Sequence, residues 1–223
     1  GVCRDMKRMF YFLLLMVWAF FSPEAHAAPV STTIPYNANF VWGSLYTTVN
    51  AAITECYAIQ AGTGNTTIEL TTQMTYTETV SVNTRTQLVF TAPGGINCQN
   101  NATPVVTLRS GIVAPPNQQI FYNCPAGAIL FGTTSSMPVV HAMWWGPSGN
   151  QVVDAQPQIQ AAIDSIPVTG GTVVLPPSNT GYLLSSGLTV PGGLTLQCSS
   201  EGTTNNTKGA VLHYTGSGSA ISS

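Results

Sequence analysis

Between Gln156 and Tyr214 the apolar positions change their period. Ile159, Ala162, Ile163 and Ile166 fall at i, i+3, i+4 and i+7, which predicts one amphipathic α-helix. Pro157 suits its first position, and Asp154 or Gln156 can cap it. After Gly170-Gly171 the spacing becomes strand-like, in the runs Thr172–Leu175, Tyr182–Leu184, Leu188–Val190 and Leu194–Gln197. Each run is three or four residues long and is separated from the next by Gly, Pro, Ser or Asn. Strands this short do not span a sandwich. They suit a coil that turns a corner after every strand and stacks on its neighbours.

The same order occurs upstream. Val49, Ala52, Ile53 and Cys56 form a second helical stripe, with Ala51-Ala52-Ile53 matching Ala161-Ala162-Ile163. Gly64-Asn65 leads into Thr66–Leu70 as Gly170-Gly171 leads into Thr-Val-Val-Leu. Val80 and Val82 then match Leu188 and Val190, and Leu88 and Phe90 match Leu194 and Leu196, at an offset of about 105 to 110 residues. Further strands are expected at Thr103–Leu108, Ile112–Ala114, Gln119–Tyr122 and Ala128–Phe131, with corners at Pro115-Pro116, Pro125 and Pro138. The pattern predicts two helix-plus-coil units, 36–140 and 141–223. It leaves open whether they stack end to end or pack side by side.

The residues IQAAIDSI, GGTVVLPP, YLL, LTVPGGLTL and LHYTGSGSAI, preceded by MWWG at Met143–Gly146, resemble the N-terminal part of the pectate-lyase-like superfamily. The resemblance runs over Trp144–Ile221 and is weaker upstream. It departs at Pro147–Ala155, where the family has a run rich in Asp, Gly and Thr and only Asp154 is kept. The resemblance implies an all-β fold, a right-handed parallel β-helix whose open end is plugged by a short capping helix. It also implies a polysaccharide partner and an exported parent protein that cleaves acidic polysaccharide as a lyase or a glycoside hydrolase.

The first 27 residues read as an export signal. Lys7-Arg8 precede an apolar run, Met9–Phe21, and an Ala25-His26-Ala27 cleavage site follows. A membrane anchor needs about 20 apolar residues, and Pro23-Glu24 end the run sooner. No stable membrane insertion is therefore expected after cleavage, and the product is secreted, periplasmic or held at the cell surface. Five residues precede the first Met, and the pattern stops at Ile221-Ser222-Ser223 without a polar cap. Both features are expected of a fragment.

Residues 28–223 carry three basic groups (Arg85, Arg109, Lys208) and six acidic ones (Glu55, Glu69, Glu78, Asp154, Asp164, Glu201), a net charge of −3. Nucleic-acid binding needs a dense basic footprint and is excluded as a class. Cys56, Cys98, Cys124 and Cys198 allow up to two disulfides among three connectivities, or buried thiols. No C-x-x-C occurs, and His141 and His213 stand alone, which argues against zinc.

A lyase needs a strong base, and many of the resembling enzymes hold Ca²⁺ with several carboxylates. A glycosidase needs two acids across the scissile bond. Neither set is present. Asp154 is read as a helix start, and Asp164, Glu69, Glu78, Arg109 and Lys208 as solvated surface groups. By the resemblance the catalytic coils, and any calcium, follow Ser223, so no cofactor is expected here and this fragment alone is inactive. Trp144, Trp145, Tyr182 and Tyr214 are the candidate sugar-binding residues, because flat sugar faces stack on aromatic rings. Packing is the rival account of Trp144-Trp145, since adjacent strand residues face opposite sides. Asn65, Asn101 and Asn205 head N-x-S/T triplets open to glycosylation in a eukaryotic secretory route. The rival to an enzyme is a non-enzymatic surface or tailspike-like solenoid that binds glycans without turnover.

Overall fold

A computed structural model describes residues 40–59, 64–132, 138–167, 169–178, 180–198 and 209–223. Residues 1–27, expected to be an export signal, lie outside them, as do Glu201, Asn205 and Lys208. All described residues belong to one compact unit, Asn37–Ser223. They form β1 (Phe40–Trp42), helix α1 (Val49–Ile59), β2 (Thr66–Leu70), β3 (Gln73–Thr75), β4 (Val80–Val82), β5 (Thr86–Phe90), β6 (Gly95–Asn97), β7 (Val106–Leu108), β8 (Ile112–Val113), β9 (Phe121–Tyr122) and β10 (Ile129–Phe131). A second run follows: β11 (Val139–His141), β12 (Asn150–Asp154), helix α2 (Gln156–Asp164), β13 (Gly171–Leu175), β14 (Gly181–Leu184), β15 (Leu188–Thr189), β16 (Leu194–Cys198), β17 (Leu212–Tyr214) and β18 (Ile221–Ser222).

These strands are short, and every pairing among them is parallel. From β2 onward in the first run each strand pairs with the strand three later: β2-β5-β8, β3-β6-β9 and β4-β7-β10. The second run repeats this in β13-β16, β14-β17 and β15-β18. The protein is thus all-β with parallel sheets and two helices among the described residues. Stacked strands align like residues in rows. Val41, Ile68 and Leu88 form one inward row, and Met74, Ile96 and Phe121 another. Each fully buried aliphatic in such a row contributes roughly 1.5–3 kcal/mol.

Both helical stripes face the core: Val49, Ala52, Ile53 and Cys56 of α1, and Ile159, Ala162 and Ile163 of α2 with Ile166 just beyond it. Asp154 or Gln156 was the expected cap of α2, but the cap position is Ala155, with Gln156 as the first helical residue. Asp154 ends β12, where Ser185 holds it, and from there Oδ1 still accepts the Gln156 N–H at 3.1 Å. Gly170 adopts φ +97°, and a Cβ there would lie 2.4 Å from the Gly193 carbonyl oxygen. The Gly-Gly pair is therefore required by close approach of the neighbouring coil.

Strands β1, β3, β6, β11, β12 and β18 escape the sequence pattern. In β3 and β6 the apolar content is one residue each, Met74 and Ile96, too little to show alternation. β12 is an exposed strand in which Asn150 pairs with Gly181 and Asp154 with Leu183, so five residues oppose three. The bulge removes any period of two.

The second run sits on the last coil of the first. The Ile120 N–H donates to the Trp144 carbonyl at 3.0 Å, and the Phe131 N–H to the Ser165 carbonyl at 2.8 Å. The Phe121 and Trp145 rings lie 4.6 Å apart. Of the cysteines, Cys98 and Cys124 form a disulfide across successive coils, with Cα atoms 4.8 Å apart. Cys56 is buried with its sulfur 3.5 Å from Thr86 Oγ1, and Cys198 is an exposed thiol.

Candidate functional site

Trp144, Trp145 and Tyr182 are 5%, 3% and 2% exposed. The tryptophans occupy a 3₁₀ turn, Ala142–Trp145, rather than a strand, so both rings turn inward between the two runs. Trp144 Nε1 donates to the Pro115 carbonyl at 3.0 Å, and the Tyr182 hydroxyl to the Pro176 carbonyl at 3.0 Å. Burial raises the Tyr182 pKa, reinforced by Cys198. Tyr214 is half-buried in β17 and donates to the Ser217 carbonyl at 2.7 Å. None of the three buried rings presents a face to solvent, and the four do not converge.

A different surface has the chemistry sought in those rings. It is the outer face of the sheet β1-β2-β5-β8. Register puts Trp42, Glu69, Val89 and Val113 in one outward row. Trp42 is 46% exposed. Thr67 and Gln87 pair in the next row. Extending the β5-β8 register by one residue sets Gly111 opposite Gln87. A Cβ at Gly111 would meet nothing within 4 Å, so the row ends in open space. That space is a groove of about 260 Å³ lined chiefly by Asn65, Thr67, Arg85, Gln87, Ser110 and Gly111.

Local turns set the groove's walls. Asn83 Oδ1 accepts the Arg85 N–H at 2.9 Å and the Thr86 hydroxyl at 3.0 Å, an Asx-type turn that places Arg85 at the rim. The Ser110 hydroxyl donates to the Thr86 carbonyl and fixes the opposite wall. Glu69 Oε1 accepts from the Thr91 hydroxyl at 2.8 Å. The face therefore offers amides, hydroxyls, one guanidinium and a flat indole, which suit a polyhydroxylated ligand. Glu69 is the single carboxylate among these outward rows, whereas glycosidic hydrolysis uses two.

Sequence reasoning missed this face. The signal was the alternation Phe40-Val41-Trp42 beside Thr67-Ile68-Glu69, which turns Trp42 outward once the strands are aligned.

Asp154 lies elsewhere, on β12. Burial works against its charge, but donors from Ser185 (side chain and backbone) and Gln156 outweigh it and lower its pKa. His141, beside Trp144, has its pKa lowered by burial. Among the described residues, no group of three or more His, Cys, Asp and Glu side chains is placed to hold a metal ion. Compared with known proteins, the chain matches no family model, no curated protein and no solved structure.

Proposed function

We propose that this chain is a right-handed parallel β-helix, part of an exported protein, that binds polysaccharide on the outer face of β1-β2-β5-β8. One observation carries the reading: an exposed indole, Trp42, on the same sheet face as a polar groove whose floor is opened by Gly111, one outward row away. A linear glycan lying along the strands would stack one ring on Trp42 and hydrogen-bond others to Gln87, Asn65 and Arg85. The period-three parallel pairing supports the β-helix. The Cys98–Cys124 disulfide supports an oxidising compartment outside the cytoplasm. Binding is favoured over cleavage by this chain, because the face carries one carboxylate and no partner acid. In a longer parent, lysis or hydrolysis would fall to other coils.

The test is retention in native affinity gels that contain neutral or acidic polysaccharides. Retention by at least one polymer is expected, weakened by Trp42→Ala and by Gly111→Leu, which projects into the groove from a position where a Cβ meets nothing within 4 Å. If no polymer in a broad panel retards the folded chain, or if both variants bind as well as the parent, the reading fails.

A further inference from the structure

We infer that Tyr57, on α1 and outside the groove, is the positioning residue of the Arg85 wall and so sets how tightly the groove holds its ligand. The inference rests on the groove being the binding site, and adds to it a residue that touches no ligand. Arg85 is exposed and ends the turn Asn83-Thr84-Arg85 between β4 and β5. Val82 pairs with Leu108 and Leu88 with Ile112, so 83–87 of one coil lie against 109–111 of the next. The longer turn cannot be held by that ladder alone.

Two neighbouring residues of α1 supply the missing hold. On the exposed side, the Tyr57 hydroxyl donates to the Ser81 carbonyl and accepts the Asn83 N–H at 3.1 Å. On the buried side, the Cys56 sulfur lies 3.5 Å from Thr86 Oγ1. Thr86 Oγ1 gives its single proton to Asn83 Oδ1 at 3.0 Å, so the Cys56 S–H is the donor in that contact. Asn83 Oδ1 also takes the Arg85 N–H at 2.9 Å. These bonds close a circuit that leaves the helix at Tyr57, passes through Asn83 and Thr86, and returns at Cys56. Arg85 hangs from its middle. The opposite wall is tied to the same circuit, because the Ser110 hydroxyl donates to the Thr86 carbonyl.

Without the Tyr57 hydroxyl, the Asn83 N–H and the Ser81 carbonyl turn to water, and Asn83 loses the anchor that aims its side chain at Arg85. Arg85 then samples positions away from the rim, and each binding event must order it again. Tyr57 is 37% exposed, and phenylalanine keeps its ring, so Tyr57→Phe leaves the core beneath α1 packed. Retention should weaken about two- to tenfold, the scale of one hydrogen bond.

Amide hydrogen exchange and affinity-gel retention of Tyr57→Phe, Arg85→Ala and the double variant test it. In Tyr57→Phe the Asn83 and Arg85 amides should exchange faster than in the parent. The Ala155 amide, bonded to the Leu183 carbonyl in the second run, should keep its rate. The double variant should be retained as weakly as Arg85→Ala and no more weakly, because Tyr57 acts through Arg85. Unchanged exchange at Asn83 and Arg85 overturns the inference, whether or not any polymer binds. Losses of retention that add in full overturn it as well, since Tyr57 then reaches the ligand by another route. If no polymer retards the parent, the glycan reading falls, and faster exchange alone still supports Tyr57 as the residue that shapes the groove.

Discussion

The ring of Trp145 lies 4.6 Å from that of Phe121 at an interplanar angle of 52°, an aromatic contact that joins the two runs of the chain. Phe121 also meets Phe90 edge-on at 6.0 Å, so three rings from different parts of the chain share one core. Trp145→Ala should therefore cost about 3–5 kcal/mol, read by chemical denaturation. At temperatures where the variant stays folded, its retention by polysaccharide should match the parent's. Lost retention with unchanged stability would return Trp145 to the binding surface.

Cys98 and Cys124 close a loop with a sequence separation of 26 residues. Removing the link by Cys98→Ala with Cys124→Ala should lower stability by about 3–4 kcal/mol from loop-closure entropy. Thermal unfolding of the parent with and without reductant should show the same ordering. Equal melting of oxidised and reduced protein would show that this bond contributes nothing.

Gly170→Ala introduces a side chain at φ +97° and against the Gly193 carbonyl. A loss of at least about 1–2 kcal/mol is expected from the backbone conformation alone. Gly192→Ala is the internal control, because a Cβ there meets nothing within 4 Å, and it should stay within about 0.5 kcal/mol of the parent. Urea midpoints of the two variants check this directly.

Asp154 holds its proton less readily than its ordinary value of 3.8 implies. A carboxylate whose pKa is depressed by folding stabilises the native state above the unfolded value and loses that contribution as pH falls through the folded one. Asp154→Ala should therefore cost roughly 1 kcal/mol near neutrality, the usual worth of an acceptor at a helix start. The gap from the parent should stay flat well above pH 3.8 and narrow below it. Denaturant titrations across the acid range measure the gap. A gap that widens on acidification would reverse the sign assigned here.

Much of the architecture was legible because its period is strong. The helical stripes around Ile53 and Ile163 repeat every three to four residues, and Thr66–Leu70 alternates over five. β3 and β6 were not legible, since one apolar side chain per strand, Met74 or Ile96, carries no period. The tryptophan pair misled for a related reason. Alternation of faces holds in strands, but the backbone at Ala142–Trp145 is a 3₁₀ turn ended by Gly146 at φ +70°. Trp42 was hidden because its exposure depends on pairing with Glu69, a partner 27 positions away. The groove is less legible still: its floor is the missing side chain of Gly111, and only stacking of three coils makes that absence a space.

The stacking register also bears on how the chain acquires its shape. Thr66 meets Thr86, Val80 meets Val106 and Gly171 meets Leu194, so each ribbon's mate was synthesised roughly one winding earlier. Closing loops of that size is entropically cheap compared with joining distant ends. A polypeptide threaded through a narrow translocation channel from its amino end would find every template already laid down. Ordering can then advance in step with emergence, each new winding zipping onto the last, without waiting for the remainder to arrive.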